Sequence, residues 1–323
     1  MKLGIHLDLR NPPQWRRDWA RTYSFALELC EEAERVGVQS AWLSEHHLFD
    51  DGYLPQPLTF AAAVAARTRR IRIGTAVLIA PFRSAAHLAE EAAVVDQLSG
   101  GRLELGLGAG YRSAEYQLYG ADLGRRYAST DQRVRDLRRI WAEGTVTPPP
   151  CQDTMPIWLG YNGPQGARRA GRLGEGLLSA HPELLGPYRS GLSEAGHPPE
   201  AARMAGTLRF FATEDPERDW PLVAPHHHYL WQSYRRASGD GSDRPSPHAF
   251  GAAASRAPAL SRSLSHIVVD TPEEIARQIK ELVGTAPVDT VFVWAAPGAL
   301  PEALAAEHVR TLGERLVPLL AAR

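Results

Sequence analysis

The sequence predicts a single α/β domain over residues 1–323, a (β/α)8 barrel of the TIM type. Three observations carry this reading. Short β-like runs alternate with helical patterns along the whole chain, and such alternation builds parallel strands joined by helical crossovers. Eight such units favour closure into a barrel over a doubly wound sheet. A chain of 323 residues with 44% hydrophobic and 23% charged side chains also has ample material for one large core.

The first strand is read at Leu3–Leu9 (LGIHLDL). A helix over Tyr23–Val36 then sets Phe25, Leu29, Ala33 and Val36 on one face, and Gly37 ends it as a C-terminal glycine does. Ala41–Leu43 and Ile71–Ile79 supply the second and third strands, each followed by a helix, Leu58–Ala66 and Ala85–Leu98. Ser99-Gly100-Gly101 stops the latter. The fourth unit pairs Leu103–Leu107 with the helix Ser129–Trp141. After a proline-rich loop at 145–154 come Ile157–Gly160 with helix Gln165–Leu173, and Leu177–Ser179 with helix Glu183–Ala195. Thr207–Ala212 is the seventh strand and precedes a helix over Pro221–Arg236. Helix Pro272–Val283, strand Thr290–Trp294 and helix Leu300–Leu320 complete the fold. Residues 237–265, between strands seven and eight, are rich in Ser, Pro, Gly and Ala and have no period. Such a segment is either a lid over the barrel mouth or an inert excursion.

Thirty-six basic residues balance 37 acidic ones, for a net charge of −1, which argues against nucleic acid as the main partner. Cys30 and Cys151 are too few for a disulfide framework or a metal site. No apolar run reaches the length of a membrane span and the start lacks a leader pattern, so a cytoplasmic protein with no membrane partner is expected.

Barrel active sites lie at the C-terminal ends of the strands. Here those ends carry His6 or Asp8, Ser44-Glu45-His46-His47, Gly74-Thr75-Ala76-Val77, Gly106 to Gly110, Gly160-Tyr161-Asn162-Gly163, Ser179-Ala180-His181 and Trp294. Small residues dominate and leave room for something flat and wide, such as a large cofactor. Glu45-His46-His47 reads as a metal site, a structural pair or an acid–base histidine. Adjacent residues of a strand point to opposite sides, so only one histidine faces the lumen, and a metal is not expected. The glycines at 106, 108 and 110 do not form GxGxxG, so a dinucleotide turn is not supported. The Tyr161–Gly166 turn opens a helix and reads as an anion site or as an ordinary turn. His226, His227 and His228 fan around a helix and cannot chelate as one set.

Taken in order, several segments resemble the bacterial luciferase-like flavin-dependent monooxygenases. They are LGIHLDL at the start, Ala33-Glu34-Arg35-Val36-Gly37, Ala41 to His47, and Ile73 to Val77. They continue with Asp96-Gln97-Leu98-Ser99-Gly100-Gly101-Arg102-Leu103, Leu105 to Gly108, Pro156 to Gly160, Thr271-Pro272-Glu273-Glu274 and Leu316-Val317-Pro318. The resemblance covers nearly the whole chain and implies the same barrel. It implies reduced FMN (FMNH2) at the barrel mouth, or the deazaflavin F420 in another branch. In the monooxygenases reduced flavin and O2 form a C4a-hydroperoxide.

Carried over by position, Glu45 and His46 resemble the pair beside the flavin, with His46 the acid–base group. Ala76 and Val77 resemble a non-proline cis peptide under the flavin ring. Gly160, Tyr161, Asn162 and Gly163 resemble the phosphate turn, with Arg125 or Arg126 assisting, and Ser179 resembles a serine at the flavin edge. Two positions depart from the pattern. Gly108 and Ala109 stand where luciferase has cysteine and arginine. Gly108 is therefore expected to widen the site, and the phosphate burden to shift to Arg126 and backbone amides. The implied activity is oxygenation of an organic substrate, such as a secondary metabolite. FMNH2 would come from a separate flavin reductase, because this chain carries no pyridine-nucleotide fingerprint. A homodimer through Leu58–Ala66 and Ala85–Leu98 is implied as well. The alternatives are F420-dependent hydride transfer and flavin binding without catalysis.

Overall fold

The computed structural model describes residues 1–238, 255–261 and 265–321. Its strands are β1 (Lys2–Leu7), β2 (Ser40–Leu43), β3 (Arg72–Thr75), β4 (Leu78–Ile79), β5 (Leu103–Gly108) and β6 (Ile157–Leu159). They continue with β7 (Gly176–Leu178), β8 (Met204–Thr207), β9 (Phe210–Ala212), β10 (Ser255–Arg256), β11 (His266–Asp270) and β12 (Val288–Trp294). All pairings are parallel. The order β3-β2-β1-β12-β8-β7-β6-β5-β4 is closed by β3 pairing with β5, so the sheet is a barrel. β3 and β4 are one stave interrupted at Ala76–Val77, where the peptide is cis. The sequence reads that stave as one continuous strand.

Glycine placement explains how the barrel interior fills. Trp42 lies in register with Gly74 on the neighbouring strand, and Trp158 with Gly176. A Cβ on Gly74 would sit 2.3 Å from the Trp42 ring, and one on Gly176 2.4 Å from Trp158. Each indole thus occupies the space its neighbour gives up. Trp42 stacks on Phe292 with centroids 4.7 Å apart and meets Trp158 edge-on.

The staves are covered by α1 (Trp19–Arg35), α2 (Pro57–Arg67), α3 (Ala85–Ser99), α4 (Ser113–Leu118), α5 (Arg126–Ala142), α6 (Gly163–Arg172) and α7 (Leu185–Glu194). α8 (Pro216–Ser238), α9 (Pro272–Val283), α10 (Glu302–Thr311) and α11 (Val317–Ala321) follow. A single π turn joins α10 to α11, so the predicted Leu300–Leu320 helix is one nearly continuous rod. Among the described residues, no helix is long and apolar enough to cross a membrane.

The segment Asp96 to Leu103 acts as a clasp. α3 ends on left-handed Gly100, and the chain returns so that buried Arg102 donates to the carbonyls of Ala65, Thr68, Ile71 and Ser99. Three of those carbonyls lie at or beyond the end of α2, where helical partners run out. Asp96 in turn accepts from the Leu103 amide and from Gln152.

Two elements differ from the sequence reading. The run Thr207–Ala212 is not one barrel strand: β8 ends at Thr207, and β9 leaves to form a separate parallel sheet in the order β10-β11-β9. No Gly or Pro punctuates that run, so the break is invisible to pattern. The 237–265 segment contains β10, and its residues 239–254 and 262–264 lie outside the described residues.

Replacing Arg102 by alanine strips the donors from four carbonyls. We expect it to lower unfolding free energy by about 3 kcal/mol, read from urea denaturation. An unchanged midpoint would show the clasp to be dispensable.

Candidate active site

At the C-terminal end of β1, His6 is buried with both ring nitrogens engaged. Trp294 Nε1 donates to His6 Nδ1 at 3.0 Å, and His6 Nε2 lies 2.6 Å from Ser44 Oγ. An indole N–H only donates, so the proton of the neutral ring sits on Nε2. Burial drives its pKa down to about 3, against a hydrogen bond to the backbone of Ala76.

Val77 is wedged between two glycines. A Cβ on Gly108 would lie 2.4 Å from Val77 Cγ2, and one on Gly160 2.4 Å from Val77 Cγ1. Gly108 therefore does not widen the site as the sequence suggests; it is buried, and Val77 takes the space beside it. Around this wedge Ala76, Val77, Gly110, Gly160, Ser179 and Trp294 are all partly exposed and make an open floor at the barrel mouth.

Glu45, His46 and His47 diverge as the period of two demands. The Glu45 carboxylate is fully buried and accepts from the Ile79 amide at 2.8 Å and from Arg83 at 2.8 and 3.0 Å, with His47 Nε2 also 2.8 Å away. His47 Nδ1 meets the Tyr119 hydroxyl on its other side. Glu45 makes no bond to His46. His46 points instead into an aromatic wall of Phe49, Tyr53, Tyr111 and Tyr234, with centroids 4.7–5.9 Å away. Its carboxylate neighbour is Glu115 of α4, 3.3 Å from Nδ1. Burial lowers the His46 pKa, and Glu115 opposes that shift.

Two contributors escape sequence reasoning. Glu115 is one; the acidic residue in the short helix after β5 was its only signal. Arg10 is the other. Its guanidinium is buried, bonded to Asp51 at 2.5 Å and 3.4 Å from Asp8, and lies over the rings of Tyr53, Phe49 and Tyr234. Burial raises the pKa of Asp8 to about 6, with Arg10 pulling the other way.

Across the mouth, α6 begins at left-handed Gly163, and its N-cap Asn162 makes no side-chain cap. Its first amides are therefore left for an external acceptor. Tyr161 turns inward: its hydroxyl donates to Asp131 at 2.7 Å, and Arg169 bonds the other carboxylate oxygen. Tyr161 thus braces the turn rather than facing a ligand. Arg126 and Arg169 both lie over the Tyr127 ring, at 4.8 and 5.6 Å, and Tyr127 meets Tyr161 edge-on. Arg169 sits in the last turn of α6 with its charge balanced by Asp131. Arg125 is exposed, and Ser179 Oγ accepts from the His181 amide.

The three consecutive histidines separate. His226 stacks on Trp15 and bonds the Gly298 carbonyl, His228 bonds Gln232, and His227 is buried against the β9 sheet. Among the described residues no cluster of His, Cys, Asp or Glu is placed to hold a metal.

The structure thus defines a closed parallel barrel whose mouth joins a set of mostly small, partly exposed residues, a walled neutral histidine and an uncapped helix start. The chain belongs to the luciferase-like monooxygenase family, whose sequence pattern matches residues 1–289. It is 30% identical over 182 residues to the oxygenase component of a flavin-dependent trigonelline monooxygenase from Acinetobacter baylyi, covering 50% of this chain and 49% of that protein. It is also 31% identical over 175 residues to an F420-dependent glucose-6-phosphate dehydrogenase from Amycolatopsis mediterranei, covering 47% and 52%. The matched region spans about half the length of these curated relatives. Among solved structures, the monooxygenase RslO1 from Streptomyces bottropensis superposes with a TM-score of 0.81 at 25% identity, covering 98% of this chain and 99% of that one.

Buried neutral histidines make the fold acid-sensitive. His227 and His308 are held at about 4 and His6 at about 3, all chiefly by burial, whereas an unfolded histidine takes its proton near 6.5. Below that pH the unfolded chain binds protons that the folded one refuses. Asp8 works in the opposite sense and offsets one of the three. We expect stability to fall by roughly 2–3 kcal/mol per pH unit between about pH 6 and 4.5, read from urea midpoints. A flat profile would contradict the burial of these rings.

Proposed function

We propose that this protein is the oxygenating component of a two-component flavin monooxygenase. In this reading it takes FMNH2 from a separate reductase and uses O2 to oxygenate an organic substrate, such as a secondary metabolite. The observation that carries the reading is His46, neutral and walled by four aromatic rings, at a barrel mouth that also holds an uncapped helix start. The full-length likeness to a monooxygenase supports it.

The residues present fit the flavin. The α6 amides, with Arg126, would hold its phosphate, and the Ala76–Val77 floor, wedged against Gly108 and Gly160, would underlie its ring. With alanine at 109, that burden falls on Arg126 and the backbone amides. When bound, reduced flavin supplies the electrons that O2 activation requires. His46 holds and returns a proton at a ring kept free of bulk water by Phe49, Tyr53, Tyr111 and Tyr234. A homodimer through α2 and α3 accords with Val94 and Leu98, exposed four residues apart on α3.

A second reading, F420-dependent hydride transfer, rests on the similarity to an F420-dependent dehydrogenase and uses the same histidine. Anaerobic titration with FMNH2, FMN and reduced F420, followed by rapid mixing with oxygenated buffer, separates the two. We expect FMNH2 to bind most tightly and its reoxidation to be slowed on the protein. His46→Ala should retain flavin binding and lose roughly 10²–10⁴-fold in substrate oxygenation. Binding of reduced F420 alone, with no oxygen consumed, would refute the oxygenase.

A further inference from the structure

Glu115 lies on α4, outside every position that the sequence assigns to the site. Its side chain is 0% exposed, and three donors converge on its Oε1. The His47 amide is 2.9 Å away, His46 Nδ1 3.3 Å and the Arg112 guanidinium 3.5 Å. Its other oxygen, Oε2, has no hydrogen-bond partner. These donors outweigh burial and hold the carboxyl below its ordinary range, so it is charged at neutral pH.

A charged carboxylate only accepts hydrogen bonds. The nitrogen of His46 facing it must therefore be the protonated one, and the lone pair is left on Nε2. Arg112 completes the clamp by donating to the His47 carbonyl at 2.6 Å, so α4 grips the His46–His47 segment from both its amide and its carbonyl side. We infer that Glu115 is a positioning residue that fixes the tautomer of His46, with Nδ1–H bound to the carboxylate and Nε2 kept as the acceptor for chemistry. This rests on the reading of His46 as the acid–base group.

Every other ionisable group packed around the ring disfavours its protonation or stays neutral. Arg10 and Arg112 are cations that oppose a charged His46. Tyr53, Tyr111 and Tyr234 are held neutral by burial, and His6 carries no charge above about pH 3. Glu115 is thus the one group named here that raises the proton affinity of His46.

Long-range nitrogen–proton NMR of the histidine rings, on the full chain without flavin, reads the tautomer directly. The His46 signals are identified by their loss in His46→Asn. At pH 7.5 we expect a protonated Nδ1 and a bare Nε2. Glu115→Gln keeps a carbonyl oxygen toward the His47 amide and the His46 Nδ1–H, so the tautomer should persist while the pH at which the ring takes its second proton falls by about one unit, a tenfold loss of proton affinity. Glu115→Leu removes the acceptor, and the proton should move to Nε2. Glu115→Asp, which keeps the charge, should retain the native tautomer and serves where the glutamine variant does not fold.

A bare Nδ1 in the wild type would overturn the inference. So would Glu115→Gln with the titration unchanged, or Glu115→Leu with Nδ1 still protonated as in the wild type. Should the tautomer follow the expected pattern while His46→Ala leaves flavin-dependent turnover intact, the Glu115 assignment stands and the acid–base reading of His46 falls.

Discussion

The mouth of this barrel is organised by one buried charge. The Glu45 carboxylate is fully enclosed, and an unpaired carboxylate at that depth would cost several kcal/mol. It is satisfied by the Ile79 amide, just past the break in the third stave, by Arg83 in the turn that follows, and by His47. Those bonds tie the ends of two staves together. They also commit Glu45 and His47 to the protein interior, while His46 between them turns to the aromatic wall and Glu115. The orientation of His46 is thus a consequence of the anchoring of its neighbours.

The two ends of the barrel solve different problems. Within the staves, Trp42, Trp158 and Phe292 fill the lumen against glycines on neighbouring strands, and the packing is dry and rigid. At the mouth the protein instead encloses Asp8, Arg10, Asp51 and Glu115, several of whose atoms lack hydrogen-bond partners. Such buried charge contributes little net stability. Its effect is local: Arg10 packs the rings of Tyr53, Phe49 and Tyr234 into the wall that faces His46. The clasp at Arg102 and the indole–glycine pairs keep the frame rigid while the mouth carries this polar load.

The barrel itself was legible, because period-two runs and amphipathic helices are local signals. His46 was legible too, through its place after a buried strand. Glu115 was not, because its meaning depends on a contact 69 residues away that no spacing rule foretells. Gly108 misled in the opposite way. A glycine in a sequence reads as open space, yet the space beside this one is filled by Val77 from a different stave. The β9–β11 sheet escaped because TLRFFA holds no Gly or Pro to mark a break. Whether such a run continues one strand or changes sheets is decided by partners far along the chain, His266–Asp270 among them.

Three histidines lie at strand ends, and the structure separates them by what each nitrogen already does. His6 spends one nitrogen on Trp294 and the other on Ser44, and burial leaves it unable to hold a second proton above about pH 3. His47 is bonded through both nitrogens, to Glu45 and Tyr119. His46 alone of the three has a single side-chain hydrogen bond, to a charged carboxylate, and an Nε2 with no protein partner among the described residues. A proton-transfer group needs one nitrogen held and the other unengaged. That requirement, rather than proximity to the mouth, singles out His46.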